Sequence, residues 1–188
     1  MQPSWRRRFL TWNVNRAKRL ILVVIWQIPC FPKTRIQNAT DHGMKFFTLD
    51  WWCGLQQLED YDPVPEFKRY LSTIRERIPE GLLALQETIS LHDANLRSIE
   101  YTSHDKSLTL QLDGAARQYV IRYTDVVSFK TIVDRERGLP GPRGFGDLGY
   151  DEADITANGD LEHRLLFSAG IEMQIVFRAF ELKWKDAE

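Results

Sequence analysis

The residues that could do chemistry fall into two groups. His92, Asp93 and His163 form a possible polar cluster, and Asp147, Tyr150, Asp151 and Glu152 form a possible contact surface. His92, His104 and His163 each sit beside an acid: Asp93, Asp105 and Glu162. An imidazole next to a carboxylate can move protons or hold a metal when several strands bring such pairs together. The chain has no H-x-H or H-E-x-x-H spacing, so no metal site and no cofactor are expected. The plainer reading makes His92 and Asp93 backbone-bonding groups at a β-bulge and His163 a strand residue with a satisfied ring.

The second group lies in residues 134–160, which hold six of the eleven glycines, two prolines and many acids. The stretch reads as one long irregular loop. A loop of that length in a compact domain is functional or mobile. Its acids form either a solvated surface or a docking surface for a basic partner protein. Gly144-Phe145-Gly146-Asp147-Leu148-Gly149 matches the dinucleotide fingerprint letter for letter. Prolines precede it and acids that would repel a pyrophosphate follow, so it reads as a glycine-rich turn. No Ser, Cys or Thr nucleophile has a recognisable elbow.

The elements that must position these residues are helices first and strands after. Thr48 is a candidate N-cap for an apolar helix over about 49–60, in which Trp51 and Trp52 point about 100° apart. Phe67, Tyr70, Leu71, Ile74 and Ile78 follow helical spacing on one face. Pro79 opens a third helix that runs to about Glu87. From Ile89 the period changes to two, and a change of parity before Ile99 predicts a bulge. Ser103–Lys106 reads as a turn, followed by alternating Leu108, Leu110 and Leu112. Asp113-Gly114 is a second turn signal. Tyr119, Ile121 and Tyr123 alternate, with Val126, Val127 and Phe129 continuing that strand or its exit. His163, Leu165 and Phe167 share one face. Ser168-Ala169-Gly170 makes a turn, and Ile171–Phe177 and Phe180–Trp184 alternate on opposite parities. The fold class is therefore α+β, with N-terminal helices on one face of an antiparallel sheet of about five strands.

Charge divides the chain. Residues 1–43 carry eight Lys/Arg and one acid, a net of +7. The chain totals of 25 basic and 26 acidic residues leave 17 and 25 for 44–188, a net of −8. An acidic body argues against nucleic acid, which needs a basic face. The apolar run from Leu20 to Trp26 is far short of the ~20 residues that cross a bilayer, so no transmembrane segment is expected. The preferred organisation is one domain over 44–188, with 1–43 a basic extension outside it, translated upstream of a true start at Met44. A basic amphipathic anchor and a targeting peptide are the alternatives. Cys30 and Cys53 build no framework and read as incidental thiols in a reducing compartment. Nothing in the sequence specifies an oligomeric state.

Four stretches carry a resemblance: Met44–Trp51, Leu91-His92-Asp93-Ala94, Asp147–Glu152 and His163–Phe167. Over about 44–184 the chain resembles a group of small, soluble bacterial proteins classed only as a domain of unknown function. Those proteins open near Met-Lys-Tyr/Phe-Phe-Thr and carry a Leu-His-Asp-Ala strand motif. Similar Leu-His-Asp strands look like those of some immunity-type proteins from toxin systems. The resemblance implies a cytoplasmic bacterial protein beginning at Met44, with no catalytic residues to carry over. The resulting expectation is a non-enzymatic protein-binding domain, immunity-like or scaffolding. The alternative is a metal-dependent or hydrolytic enzyme using His92, Asp93 and His163.

Overall fold

A computed structural model describes residues 43–55, 61–134 and 144–187. The charge and start-site expectations for 1–42, the end of the first helix and the prolines at 140 and 142 lie outside the described residues. Three short helices come first: α1 (Leu49–Leu55), α2 (Val64–Ile74) and α3 (Glu80–Glu87). Thr48 caps α1 as expected, its Oγ1 accepting the Trp51 N–H at 3.1 Å. A single 3-10 turn, Arg75–Arg77, links α2 to α3. Phe67, Leu71 and Ile74 of α2 are buried, as are Leu82 and Leu85 of α3.

Eight strands follow: β1 (Asn95–Thr102), β2 (Ser107–Asp113), β3 (Arg117–Thr124), β4 (Ser128–Val133), β5 (Leu148–Ile155), β6 (Leu161–Phe167), β7 (Ile171–Phe177) and β8 (Ala179–Asp186). They form two antiparallel sheets in the orders β1-β2-β3-β8 and β4-β7-β6-β5. The fold class is α+β, but the single sheet of about five strands is corrected to two sheets of four. Two local causes hid the difference. At Asp125, with φ +52°, the chain turns and β3 passes into β4 of the second sheet. Beside it, Arg178 separates β7 from β8, and that pair changes sheet at the same corner. The Val127 N–H donates to the Val176 carbonyl and the Arg178 N–H to the Thr124 carbonyl there. The second cause is β5, whose acids broke the apolar alternation by which a strand is read.

The hairpin turns fall where their residues indicated, at 103–106, 113–116 and 168–170. A bulge exists, as a register shift between Leu96 and Ser98 that leaves Arg97 as the extra residue. It is not at His92 and Asp93: these were expected in a strand from Ile89 and instead form a turn before β1. One face of the first sheet buries Leu108, Leu110, Leu112, Tyr119, Ile121 and Tyr123. One face of the second buries Leu165, Phe167, Ile171, Met173, Ile175 and Phe177. Tyr123 meets Phe177 edge-on across the gap, with centroids 4.9 Å apart. The start of β5 also meets the start of β1. Asn95 bridges Asp147, the Asp93 N–H donates to the Leu148 carbonyl and the Leu148 N–H to the Ala94 carbonyl, both at 2.8 Å. The hydrogen-bonded circuit thus closes on itself at one end. α3 packs against β8 and β5, and α2 against β5. Cys53, expected as an incidental thiol, is instead disulfide-bonded, and its partner lies outside the described residues. No helix among the described residues is long and apolar enough to cross a membrane.

Candidate functional site

The site is built around β5, the edge strand of the second sheet. Side chains alternate across a strand, so Tyr150, Glu152 and Asp154 face one way and Asp151 and Ala153 the other. Each set meets a different environment.

On the outer face, cross-strand pairing puts Glu152 opposite Arg164 and Arg164 opposite Gln174. Asp154 pairs with Glu162 in the adjacent row. Two carboxylates directly opposite repel each other. Arg164 offsets that: its Nη1 lies 3.1 Å from Glu152, and its Nη2 lies 2.9 Å from Asp154 and 2.5 Å from Glu162. Glu152 is 1% and Arg164 3% exposed. The segment at 44–46 covers this face and uses its acids. The Met44 N–H donates to Glu172, and the Lys45 and Phe46 N–H groups donate to the two oxygens of Glu152 at 2.5 and 3.0 Å. The Lys45 ammonium and the Tyr70 hydroxyl both bond Asp154. Burial pushes the Asp154 carboxyl up, but the bonds from Lys45 and Tyr70, the Ile155 amide and the Arg164 charge outweigh it and leave it below its usual value. Burial and the bond to Asp154 push the Tyr70 phenol up to about 12. Burial pulls the Arg164 guanidinium down, and the charges of Glu162, Asp154 and Glu152 more than restore it. These groups hold a covering segment on a sheet, a structural role.

The inner face carries a chain of four side chains. The Tyr123 hydroxyl lies 2.7 Å from His163 Nδ1, and His163 Nε2 lies 2.9 Å from Asp151 Oδ2. Gln86 of α3 donates its amide N–H to the same Asp151 oxygen and accepts the Ala153 N–H at 3.1 Å. Burial, and secondly the Asp151 charge, hold the Tyr123 phenol well above its usual value. It therefore stays protonated and donates to Nδ1, which leaves the ring hydrogen on Nε2 to donate to Asp151. Tyr123 and His163 are both 0% exposed, and the Asp151 side chain is 13% exposed.

Asp151 stands at the floor of a cleft of about 370 Å³ between α2, α3 and β5, lined also by Phe67, Lys68, Gln86, His92 and Tyr150. Tyr150 is held there by aromatic rings. It stacks on Phe47 with centroids 5.2 Å apart and 12° between planes, and Trp51, Trp52 and His92 meet it edge-on. Both tryptophans are therefore packed. Gly149 permits this approach, since a Cβ there would stand 2.5 Å from the Trp52 ring. Burial, then the charges of Asp62 and Asp93, push the Tyr150 phenol up.

The structure thus brings His92, Tyr150, Asp151 and His163 to one cleft and the chain behind it. It does not bring the two expected groups together whole. Asp93, with φ +64°, is exposed, and its carboxylate bonds His92 at 2.9 Å. Glu152 is buried on the outer face, the side of β5 that Tyr150 shares and Asp151 does not. Asp147 pairs with Asn95, and its N–H donates to Ser168 Oγ at 2.9 Å. The expectation that Tyr150, Asp151 and Glu152 stand in an open loop is corrected: they lie in β5, where the carboxylates of Asp151 and Glu152 have partners and the Tyr150 ring is packed among aromatic rings. Gly144 and Gly146, at φ +70° and +76°, do form a turn, and it leads into a strand.

The sequence reading missed Tyr123, Gln86, Lys45 and Arg164. Tyr123 had a readable signal, the shared parity with Ile121 that sends it inward. Arg164 had one too, as a charge inside an apolar strand. Among the described residues no group of three or more His, Cys, Asp or Glu side chains is arranged to hold a metal ion. No family model matches the chain, and no curated protein matches it.

Proposed function

We propose that this chain is a non-enzymatic protein-binding domain, immunity-like or scaffolding, that engages a basic partner at the cleft beside β5. The observation that carries this reading is the chain from Tyr123 through His163 to Asp151. Both imidazole nitrogens are engaged and the ring is buried, so the arrangement orients a carboxylate instead of freeing a base. Fixed on one side by Gln86 and His163, Asp151 turns its remaining acceptor capacity toward the cleft. A carboxylate beside the apolar lining of Phe67 and Tyr150 suits the head and stem of a lysine or arginine side chain. The net charge of −8 over 44–188 steers such a partner toward this body. The sequence resemblance to immunity-type proteins points the same way, although Leu91-His92-Asp93 forms a turn here and not a strand, and a bacterial cytoplasmic setting goes with that resemblance.

The test recovers a stoichiometric partner from the native host with the tagged chain, then compares Asp151→Asn with Asp147→Asn. The expected result is at least about tenfold weaker binding for Asp151→Asn, one charge-assisted bond being worth about 1.5–3 kcal/mol, and unchanged binding for Asp147→Asn. Equal binding by both variants sinks the cleft assignment.

The second reading, an enzyme using the His/Asp pair, is favoured by the Asp151–His163 contact, since a partly exposed carboxylate backed by an imidazole is a possible base. Stoichiometric metal in the purified protein, or hydrolysis of model esters lost in Asp151→Asn, would move the assignment to it.

A further inference from the structure

Among the described residues the outer face of the β1-β2-β3-β8 sheet carries no helix, since α3 meets β8 on the side of Phe180 and Leu182 and α2 packs against β5. A groove of about 590 Å³ lies on it. Pairing runs Ser98–Gln111–Val120–Lys183 across the sheet in one row and Asp113–Gln118–Lys185 in the next. The bulge between Leu96 and Ser98 adds one residue to the edge strand, and that residue is Arg97, which lines the groove. Bulges re-aim side chains at sheet edges in this way.

The lining therefore holds three cations, Arg97, Lys183 and Lys185, and one acid, Asp113. Arg97 bonds Asp113 through Nε. Lys183 reaches Glu181 at 2.8 Å in a pair that is exposed on both sides and therefore readily exchanged. Lys185 has no ion pair among the described residues. A local net of +2 stands on a body whose net charge is −8. Val120 is 38% exposed in the middle of the groove.

We propose that this groove docks an acidic segment of a partner protein. Carboxylates would bond Arg97, Lys183 and Lys185, and an apolar side chain would lie over Val120. The glutamine amides of Gln111 and Gln118 offer donors and acceptors that match a peptide backbone. A short acidic segment meets the local positive charge, whereas a long polyanion such as nucleic acid also meets the repulsion of the acidic body. The opposite sign of the β5 cleft makes the two faces chemically distinct, and neither assignment depends on the other.

The experiment titrates the full chain with a capped Glu-Glu-Leu-Glu-Glu peptide and follows backbone amide NMR shifts. Saturable shifts at Gln111, Val120 and Lys183 are expected. They should weaken at least about tenfold in Lys183→Glu/Lys185→Glu and disappear by about 0.5 M salt. A Lys-Lys-Leu-Lys-Lys peptide should leave these amides unmoved, and it probes the Asp151 cleft separately. Shifts confined to other surfaces, or no saturable binding, overturn the proposal. So does tighter binding of a thymidine oligonucleotide than of the acidic peptide. Concentration-dependent shifts at the same amides without any peptide would assign the groove to a second copy of the chain and overturn it equally.

Discussion

Asp151 and Glu152 are neighbours in the chain and belong to different worlds in the fold. Asp151 Oδ2 lies 2.9 Å from the buried His163 ring on the inner face, beside a cleft. Glu152 lies 3.1 Å from Arg164 on the outer face, under the segment at 44–46. The period of two separates them, and it separates what their substitution does. One anchors the row of side chains that runs through His163 beside the cleft, and the other holds a segment in place.

Arg164 is the residue on which the outer face depends. Replacing it with methionine keeps much of the volume and leaves Glu152, Asp154 and Glu162 without their shared cation. A loss of about 3–5 kcal/mol in urea unfolding is expected, the cost of breaking a buried ionic group by removing one partner. Glu162→Gln, which removes one of two directly opposed carboxylate charges, should cost much less. Equal losses for the two variants would mean that Arg164 is not the organising charge.

Acid should weaken the fold through Asp154. Its carboxyl lies below its ordinary value of 3.8 in the folded chain. Its contribution is therefore present above the unfolded-state value and is lost as pH falls through the folded one. Asp154→Asn should flatten the dependence of the unfolding free energy on pH below about 4, while lowering stability at neutral pH. On the alkaline side Tyr70 contributes, its phenol raised from 10.0 to about 12. Its contribution is complete below the unfolded value and is lost as pH rises through about 12. Ultraviolet titration of phenolate should show several late-titrating tyrosines, Tyr123 among them, and the component near pH 12 should disappear in Tyr70→Phe.

Tyr123→Phe isolates the inner chain. It preserves the ring that packs on Phe177 and removes the donor to His163 Nδ1, stranding a buried acceptor. About 1–3 kcal/mol of stability should be lost, measured by denaturant unfolding. Partner binding at the cleft should change little, because Gln86 still holds Asp151. Full stability in Tyr123→Phe would show that the hydroxyl is not the donor on which the ring relies.

Much of the local structure was legible in the residues. The helix faces of α2 and α3, the Thr48 cap, the turns at 103–106, 113–116 and 168–170, the bulge near Leu96 and the alternation of β2, β3, β6, β7 and β8 all follow from short-range rules. Each depends on the backbone conformation of a few neighbouring residues. The inward direction of His163 was likewise readable from its parity with Leu165 and Phe167. Tertiary structure alone decided that β5 is a strand, because its acids are stabilised by Arg164, Lys45 and Tyr70, residues 10 to 109 positions away. It alone decided that the chain bends at Asp125 and Arg178, which makes two facing sheets from what reads as one. It also decided that Tyr123 and Asp151 meet across His163, because that chain joins the two sheets, and no local pattern records which strands of different sheets will face each other.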